Sequence, residues 1–131
     1  DIAAVDSQPN WIHERCLATG MEAFMPLWGI ERELLLQELL ASGFRIMVSC
    51  VNTRWLAPVW VGRLLDDQAI DELRAVRLKN GMDLAGENGE YHTVVLDCPN
   101  FSQCIRIEPG VPELRNEYAC LPGVTAFLVD K

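Results

Sequence analysis

The stretch ASGFRIMVSCV, Ala41 to Val51, indicates the fold class. Gly43 is expected to end a helix, because a glycine behind helical residues takes the left-handed conformation that closes the last turn. The apolar, β-branched run that follows predicts a strand covered on both faces. A helix, a tight glycine turn and a buried strand in this order are typical of an α/β protein.

Other helices and strands are predicted on both sides of this stretch. Helices are expected over residues 8–19 and 31–42, the second with a leucine face that packs in the core. A third is expected to begin at Asp66 or Asp67 as N-cap and to end at Gly81. Strands are predicted in YHTVVLD, QCIRIE, EYAC and TAFLVD, so the second half is β-rich after one helix.

Composition excludes several classes of protein. The chain has 131 residues, is 50% hydrophobic and carries a formal net charge of −8, which is typical of one soluble globular body. That charge argues against a nucleic-acid binder but leaves an anionic small ligand open. Neither a transmembrane run nor a secretory leader is recognisable, so a cytoplasmic location is expected. The start DIAAVD, without methionine, suggests a piece of a longer chain.

The five cysteines predict free thiols. Their number is odd and none forms a CxxC pair, which argues against a disulfide framework and a structural zinc site. Cys98 is expected to be unreactive, because no adjacent Lys, Arg or helix start would lower its pKa.

The motif GENGEYHT allows two interpretations. Asn88-Gly89 is a strong signal for a type I′ hairpin turn, whose two central residues need positive φ. Alternatively, Gly86 and Gly89 let a ligand approach the backbone while Glu87 and Glu90 converge on it. The sequence leaves both interpretations open.

Glu90 and His92 are a second candidate pair. Two residues apart on a strand, they would project from one face, where the carboxylate could orient the imidazole for acid–base chemistry. The same pair could hold a metal with a third ligand from elsewhere. No third ligand is evident, so no metal is predicted.

Trp28 and Arg63 are further candidates. Trp28, in the motif PLWG, is expected at a strand-to-helix turn, as a core residue or as a platform for a ligand. Arg63 could pair with a phosphate or carboxylate through its two-pronged guanidinium group. It could equally form a surface salt bridge with Asp66 or Asp67.

In their order, GMEAFMPLWG, VGR and GENGEYHTVVLDCPNF resemble the C-terminal part of the PP-loop ATP pyrophosphatase family that contains diphthine-ammonia ligase. The resemblance covers nearly the whole chain up to about Phe101. It implies that residues 1–29 end a Rossmann-like (HUP-type) ATP-binding domain and that residues 30–131 form an α+β substrate-binding domain.

The resemblance also implies a reaction. In that family ATP is split to AMP and pyrophosphate, and a carboxylate is activated as an acyl-adenylate that ammonia attacks. The SGGKDS loop that holds ATP is absent from this sequence. Mg-bound ATP is therefore expected in a full-length parent, with none bound by this fragment alone, which would be inactive by itself. The expected partners are an acceptor substrate and ammonia, and a second copy of the chain is a further candidate. Binding to nucleic acid or to a membrane is not expected.

The residue patterns above and the resemblance together give a set of candidate site residues. The catalytic ones would be Glu87, Glu90 and His92; the substrate-binding ones Gly86, Asn88, Gly89, Tyr91, Thr93, Trp28 and Arg63; and the nucleotide contact Asp1. An acidic, aromatic site suits a quaternary ammonium such as that of diphthine. His92 stands where the diphthamide branch commonly has Glu, so the acceptor stays open. The alternatives are a non-catalytic binding or dimerisation module and a metal-dependent hydrolase using Glu90 and His92.

Overall fold

The computed structural model describes residues 11–108 and 110–131, and the chain divides into two units, Asp1–Glu31 and Arg32–Lys131. In the first unit, helix α1 covers Trp11–Ala18. Gly20 follows with a φ of 72°, and its N–H donates to the carbonyl of Leu17 at 3.1 Å. The predicted glycine stop is confirmed, while the predicted start of this helix at residue 8 lies outside the described residues.

The PLWG motif forms a turn in the first unit. The N–H of Trp28 donates to the carbonyl of Met25 at 3.1 Å, and the indole is half-buried. The predicted turn is confirmed. Residues 21–25 in front of it form no strand, so the strand-to-helix setting is wrong.

In its described residues the second unit contains two α-helices, α2 over Arg32–Ala41 and α3 over Asp67–Asn80, and a short 3-10 helix over Pro58–Trp60. Asp66 caps α3, because its carboxylate accepts from the N–H of Ala69 at 2.7 Å. Gly81 ends α3 with a φ of 78°. The predicted cap and stop of this helix are both confirmed.

The leucine row of α2 reaches the core on one side only. Leu36 is buried, and Leu39 and Leu40 pack partly against the core. Leu34, in contrast, is 58% exposed. The expected core face is therefore confirmed for part of the row.

Six strands form two antiparallel sheets in the second unit. They are β1 Arg45–Asn52, β2 Tyr91–Asp97, β3 Gln103–Ile107, β4 Glu113–Arg115, β5 Tyr118–Cys120 and β6 Ala126–Asp130. The larger sheet has the order β2-β1-β5-β4, and the smaller one pairs β3 with β6. The unit is thus a small α/β domain with antiparallel sheets.

Strand β1 is the centre of the larger sheet because both of its edges are paired. One edge pairs with β2. The other edge is paired in two parts. Residues 50–52 pair with β5, and residues 46–48 pair with the backbone of residues 62–65. All the strands predicted from the sequence are present. Strand β4 was not among them. It has three residues, and a two-residue turn at Asn116, with a φ of 55°, joins it to β5.

The pleat of β1 gives the sheet two different faces at its C-terminal end. Val51 lies between Tyr91 on β2 and Ala119 on β5, and all three are buried in the core that Leu36 and Leu73 complete. Each of these three residues has a strand neighbour whose side chain points to the opposite face, since successive strand residues alternate. We call the three neighbours, His92, Cys50 and Cys120, the outer row.

Two cysteines of the outer row are joined. Cys50 and Cys120 form a disulfide across 70 residues, so the prediction of free thiols is wrong for them. No local pattern predicts this bond, because the pairing of β1 with β5 joins residues that are distant in the chain. Cys16, Cys98 and Cys104 are free, and Cys98 is buried.

No helix in residues 11–108 and 110–131 has both the length and the apolar character needed to cross a membrane.

Candidate functional site

The first five residues of the GENGEYHT motif lie between α3 and β2, in a segment, residues 83–90, that we call the acidic loop, and the last three residues of the motif begin β2. Two successive turns shape it. The N–H of Gly86 donates to the carbonyl of Asp83, and the N–H of Gly89 donates to the carbonyl of Gly86, both at 3.1 Å. Gly86 and Gly89 have φ values of 74° and 83°, which glycine adopts without strain.

The predicted hairpin at Asn88-Gly89 is wrong. Strand β2 pairs with β1 rather than with a strand directly before the loop. A type I′ turn also needs positive φ at both central residues, and Asn116 alone among the described non-glycine residues has it. The local turn signal is overridden because the carboxylate of Glu90 accepts from the N–H of Asn88 at 2.9 Å.

Glu90 holds the acidic loop together from the inside. Its side chain is almost completely buried, at 1% exposure. Oε1 accepts from the N–H of Asp83 at 2.8 Å, and Oε2 accepts from the N–H of Asn88. Its own carbonyl accepts from the N–H of Asn52 on β1 at 2.9 Å. Because a buried carboxylate needs such donors, Glu90 and the loop backbone satisfy each other.

Tyr91 closes the loop on the core side. It is 4% exposed, and its hydroxyl donates to the carbonyl of Leu84 at 2.7 Å. Burial, with smaller contributions from the carboxylates of Asp83, Glu90 and Glu87, raises the pKa of Tyr91 well above its ordinary value. The phenol therefore stays protonated and donates to the backbone.

Gly86 is required by the approach of Tyr91. A Cβ built on Gly86 would lie 3.0 Å from the carbonyl oxygen of Tyr91 and 3.1 Å from two of its ring carbons. At Gly89 nothing lies within 4 Å of such a Cβ. The first glycine of the motif therefore permits close packing, whereas the second only permits the turn.

Asp83 and Arg32 connect the loop to α2. One carboxylate oxygen of Asp83 accepts from the N–H of Ala85 at 2.9 Å, and the other accepts from Nε of Arg32 at 3.2 Å. Both charged side chains are 18% exposed. Sequence reasoning missed both residues. Asp83, two residues behind a helix stop, carries the signal of an Asx turn, but nothing local marks Arg32 as its partner.

The remaining polar side chains of the motif face outward. Glu87, Asn88, His92 and Thr93 are exposed. The predicted Glu90–His92 pair is wrong, since Glu90 is buried on backbone donors while His92 is exposed in the outer row opposite Cys50. The alternation rule fails here because β2 begins at Tyr91, so Glu90 is not a strand residue.

Arg63 is engaged by Glu72 on α3. The two side chains form a bidentate ion pair, with one N···O distance of 2.8 Å, and the guanidinium carbon of Arg63 lies 4.5 Å from the centroid of the Trp60 ring. Hydrogen bonds from Arg63 lower the pKa of Glu72 to about 2. The salt-bridge interpretation is confirmed, but the predicted partners, Asp66 and Asp67, are wrong.

Two predicted site residues do not belong to the second unit. Trp28 belongs to the first unit. Asp1 lies outside the described residues. Their assigned roles stay predictions.

We call the exposed side chains of the motif, Glu87, Asn88, His92 and Thr93, the rim. Glu87 gives the rim a negative charge, while His92 and Thr93, at the start of β2, offer groups that donate and accept hydrogen bonds. Within the described residues, no group of three or more His, Cys, Asp or Glu side chains could hold a metal ion.

Comparison with known proteins identifies the family. Residues 31–127 match the model of the diphthamide synthase C-terminal domain. The chain is 31% identical over 125 residues to diphthine-ammonia ligase of Schizosaccharomyces pombe, covering 95% of this chain and 20% of that protein. It is 32% identical over 118 residues to diphthine-ammonia ligase of Homo sapiens, covering 89% and 44%.

The chain thus spans less than half the length of these curated relatives, since it covers 20% and 44% of them. The family match includes the acidic loop, β2 and most of both sheets. The resemblance inferred from the motifs is confirmed by this match. The chain belongs to the diphthamide synthase C-terminal domain family.

Proposed function

We propose that this chain is the C-terminal, substrate-binding part of a cytoplasmic ATP-dependent ligase that joins ammonia to a carboxylate. The observation that carries the proposal is the acidic loop: a buried Glu90 fixes its backbone, and Glu87 and His92, five residues apart, are both exposed within the family match. The proposed reaction splits ATP to AMP and pyrophosphate and proceeds through an acyl-adenylate.

We propose that the described residues do not bind ATP by themselves. The amide of Ala69 at the start of α3 is already capped by Asp66, and the SGGKDS sequence does not occur in the chain. We therefore assign ATP and its Mg²⁺ to another part of a longer protein. Residues 1–29, with Asp1, would be the end of that nucleotide-binding domain, and residues 30–131 the substrate-binding domain.

The roles proposed for the site residues follow from their exposure. Glu87, with Asn88 beside it, would contact a cationic acceptor by Coulomb attraction. His92 and Thr93 would hold or move protons of the acceptor. Glu90, Gly86 and Tyr91 would position the loop rather than touch the substrate, because their polar groups and contacts are used inside it. A quaternary ammonium carboxylate such as diphthine fits this rim.

The test uses a longer protein that contains this chain and the SGGKDS loop. Pyrophosphate release is measured with diphthine-bearing and simple carboxylate acceptors, with ammonia, for the wild type and for Glu87→Gln and His92→Ala. Glu38→Gln, an exposed carboxylate change on α2, is the matched control. We expect KM for the acceptor to rise about tenfold in Glu87→Gln, the loss of one exposed charge contact.

The outcomes separate the two candidate functions. Wild-type KM and turnover in both site variants would refute the site assignment. Absence of ATP-dependent turnover in a longer protein with an intact SGGKDS loop would instead favour a binding or dimerisation module. This second candidate is considered because the SGGKDS sequence does not occur in the present chain. Dimerisation is then measured by sedimentation of the chain alone.

A further inference from the structure

The disulfide of the outer row lies on the open side of the larger sheet. Cys50 and Cys120 are both half-buried, and His92 next to Cys50 is exposed. The core-facing row one residue further along β1 is fully buried, in contrast. The outer row is therefore the more exposed of the two faces at this end of the sheet, and a small thiol would approach the disulfide from there.

The backbone alone brings the two cysteines together. Cys50 and Cys120 are direct partners in the antiparallel register of β1 and β5, with their Cα atoms 4.1 Å apart. Next to them, the N–H and the hydroxyl of Thr53 both donate to the carbonyl of Glu117, at 2.7 and 3.0 Å. The two thiols would thus still face each other after the disulfide is broken.

The rest of the chain does not depend on disulfides. Three other cysteines in the described residues are free, and the core is a continuous apolar cluster that includes Leu73 and Val51. In the cytoplasm, the location included in the proposed function, disulfides are mostly transient rather than structural. The pair is therefore placed for chemistry rather than needed as a framework.

We propose that Cys50 and Cys120 form a thiol–disulfide exchange site for low-molecular-weight thiols of the glutathione class. A thiolate of the small thiol attacks one sulfur, the Cys50–Cys120 bond breaks, and a mixed disulfide forms. A second small thiol then releases the protein cysteine. In total two small thiols become one small disulfide, and their two electrons and two protons yield two protein thiols. Oxidation by the small disulfide is the reverse.

The exchange controls how firmly the hairpin β4–β5 is held. Strand β5 pairs with β1 over only three residues, and β4 is the edge of the sheet. The disulfide fixes this hairpin to β1 two residues before Asn52, whose N–H donates to the carbonyl of Glu90. Reduction leaves the hairpin on its backbone hydrogen bonds, so residues 113–120 open more often.

The experiment equilibrates the 131-residue chain with mixtures of reduced and oxidised glutathione, traps the thiols with an alkylating agent and maps them by mass spectrometry. Amide hydrogen exchange of residues 113–120 is followed in the same mixtures. We expect Cys50 and Cys120 to change together and reversibly, and exchange in the hairpin to become roughly tenfold faster on reduction. Cys50→Ser is expected to show the fast exchange in every mixture.

A variant with Cys16→Ser, Cys98→Ala and Cys104→Ala isolates the pair, and peptide mapping of the wild type gives the same information if that variant does not fold. Two thiols that stay free in pure oxidised glutathione would overturn the proposal. So would a bond that persists in excess reduced glutathione. Reversible exchange without any change in hairpin protection would overturn the claim that the bond holds β4–β5. None of these outcomes depends on the proposed ligase activity.

Discussion

The GENGEYHT motif contains two sets of residues, one packed inside the protein and the other exposed to solvent. Glu90, Tyr91 and Gly86 are packed inside the acidic loop or against the core, with their polar groups bonded to backbone. Glu87, His92 and Thr93 are exposed. The comparison teaches that a motif rich in charged and aromatic residues need not be wholly a binding surface. Roughly half of this one builds the loop that presents the other half.

The largest expected difference is between Tyr91 and His92, which are adjacent on β2. Tyr91→Ala removes a buried ring and its hydrogen bond to Leu84, so the free energy of unfolding should fall by about 3–5 kcal/mol. His92→Ala should change it by less than about 0.5 kcal/mol because the imidazole is exposed. Urea unfolding of both variants measures these changes. Equal losses of unfolding free energy would contradict the assignment of Tyr91 to the core and of His92 to the exposed face.

The two glutamates of the motif provide the next comparison. Glu90→Gln replaces an acceptor oxygen by an amide NH₂ beside the buried N–H of Asp83 or Asn88, which should cost about 1–3 kcal/mol of unfolding free energy. Glu87→Gln should cost less than about 0.5 kcal/mol. Chemical denaturation measures both. If Glu87→Gln proves to be the more destabilising change, the inward and outward assignments are reversed.

The two glycines should differ as well. Gly86→Ala combines positive φ with a Cβ 3.0 Å from the carbonyl oxygen of Tyr91, so we expect a loss of about 2–3 kcal/mol. Gly89→Ala has the strain of positive φ without the contact, and about 1–2 kcal/mol is expected. Thermal unfolding of the two proteins compares them directly. Equal shifts in melting temperature would argue against close packing at Gly86.

The smallest effect concerns Arg63 and Glu72, an ion pair on the surface. Hydrogen bonds from Arg63 hold the pKa of Glu72 at about 2, below its ordinary value of 4.5. A carboxylate with a lowered folded-state pKa stabilises above its unfolded pKa, and the contribution is lost as pH falls from about 4.5 through about 2. Arg63→Lys should raise the pKa of Glu72 in a carbon-detected NMR titration. An unchanged midpoint would show that the bidentate pair is not the cause.

Local signals predicted the elements well. The cap at Asp66, the stop at Gly81 and the strand Tyr91–Asp97 were all recognisable, because each depends on residues a few positions apart. The short strand β4 was missed since three residues carry too little periodicity.

Non-local contacts set the limits of prediction. The Cys50–Cys120 bond and the Arg32–Asp83 ion pair join residues that only the fold brings together. The hairpin prediction failed for a related reason: the carboxylate of Glu90 competes with the turn preference of Asn88-Gly89 and determines the backbone. The residues of the GENGEYHT motif were recognised from sequence as candidates, but Asp83, Arg32 and the division of the motif into inward and outward sets were not.

The central claim, that Glu90 builds the acidic loop rather than facing solvent, is tested most directly by amide hydrogen exchange at Asp83 and Asn88. These two N–H groups donate to the Glu90 carboxylate. In the wild type both should be protected, although the side chain of Asn88 is exposed, and in Glu90→Gln at least one should exchange rapidly while the core strand β1 stays protected. Rapid exchange of both amides in the wild type would contradict the claim.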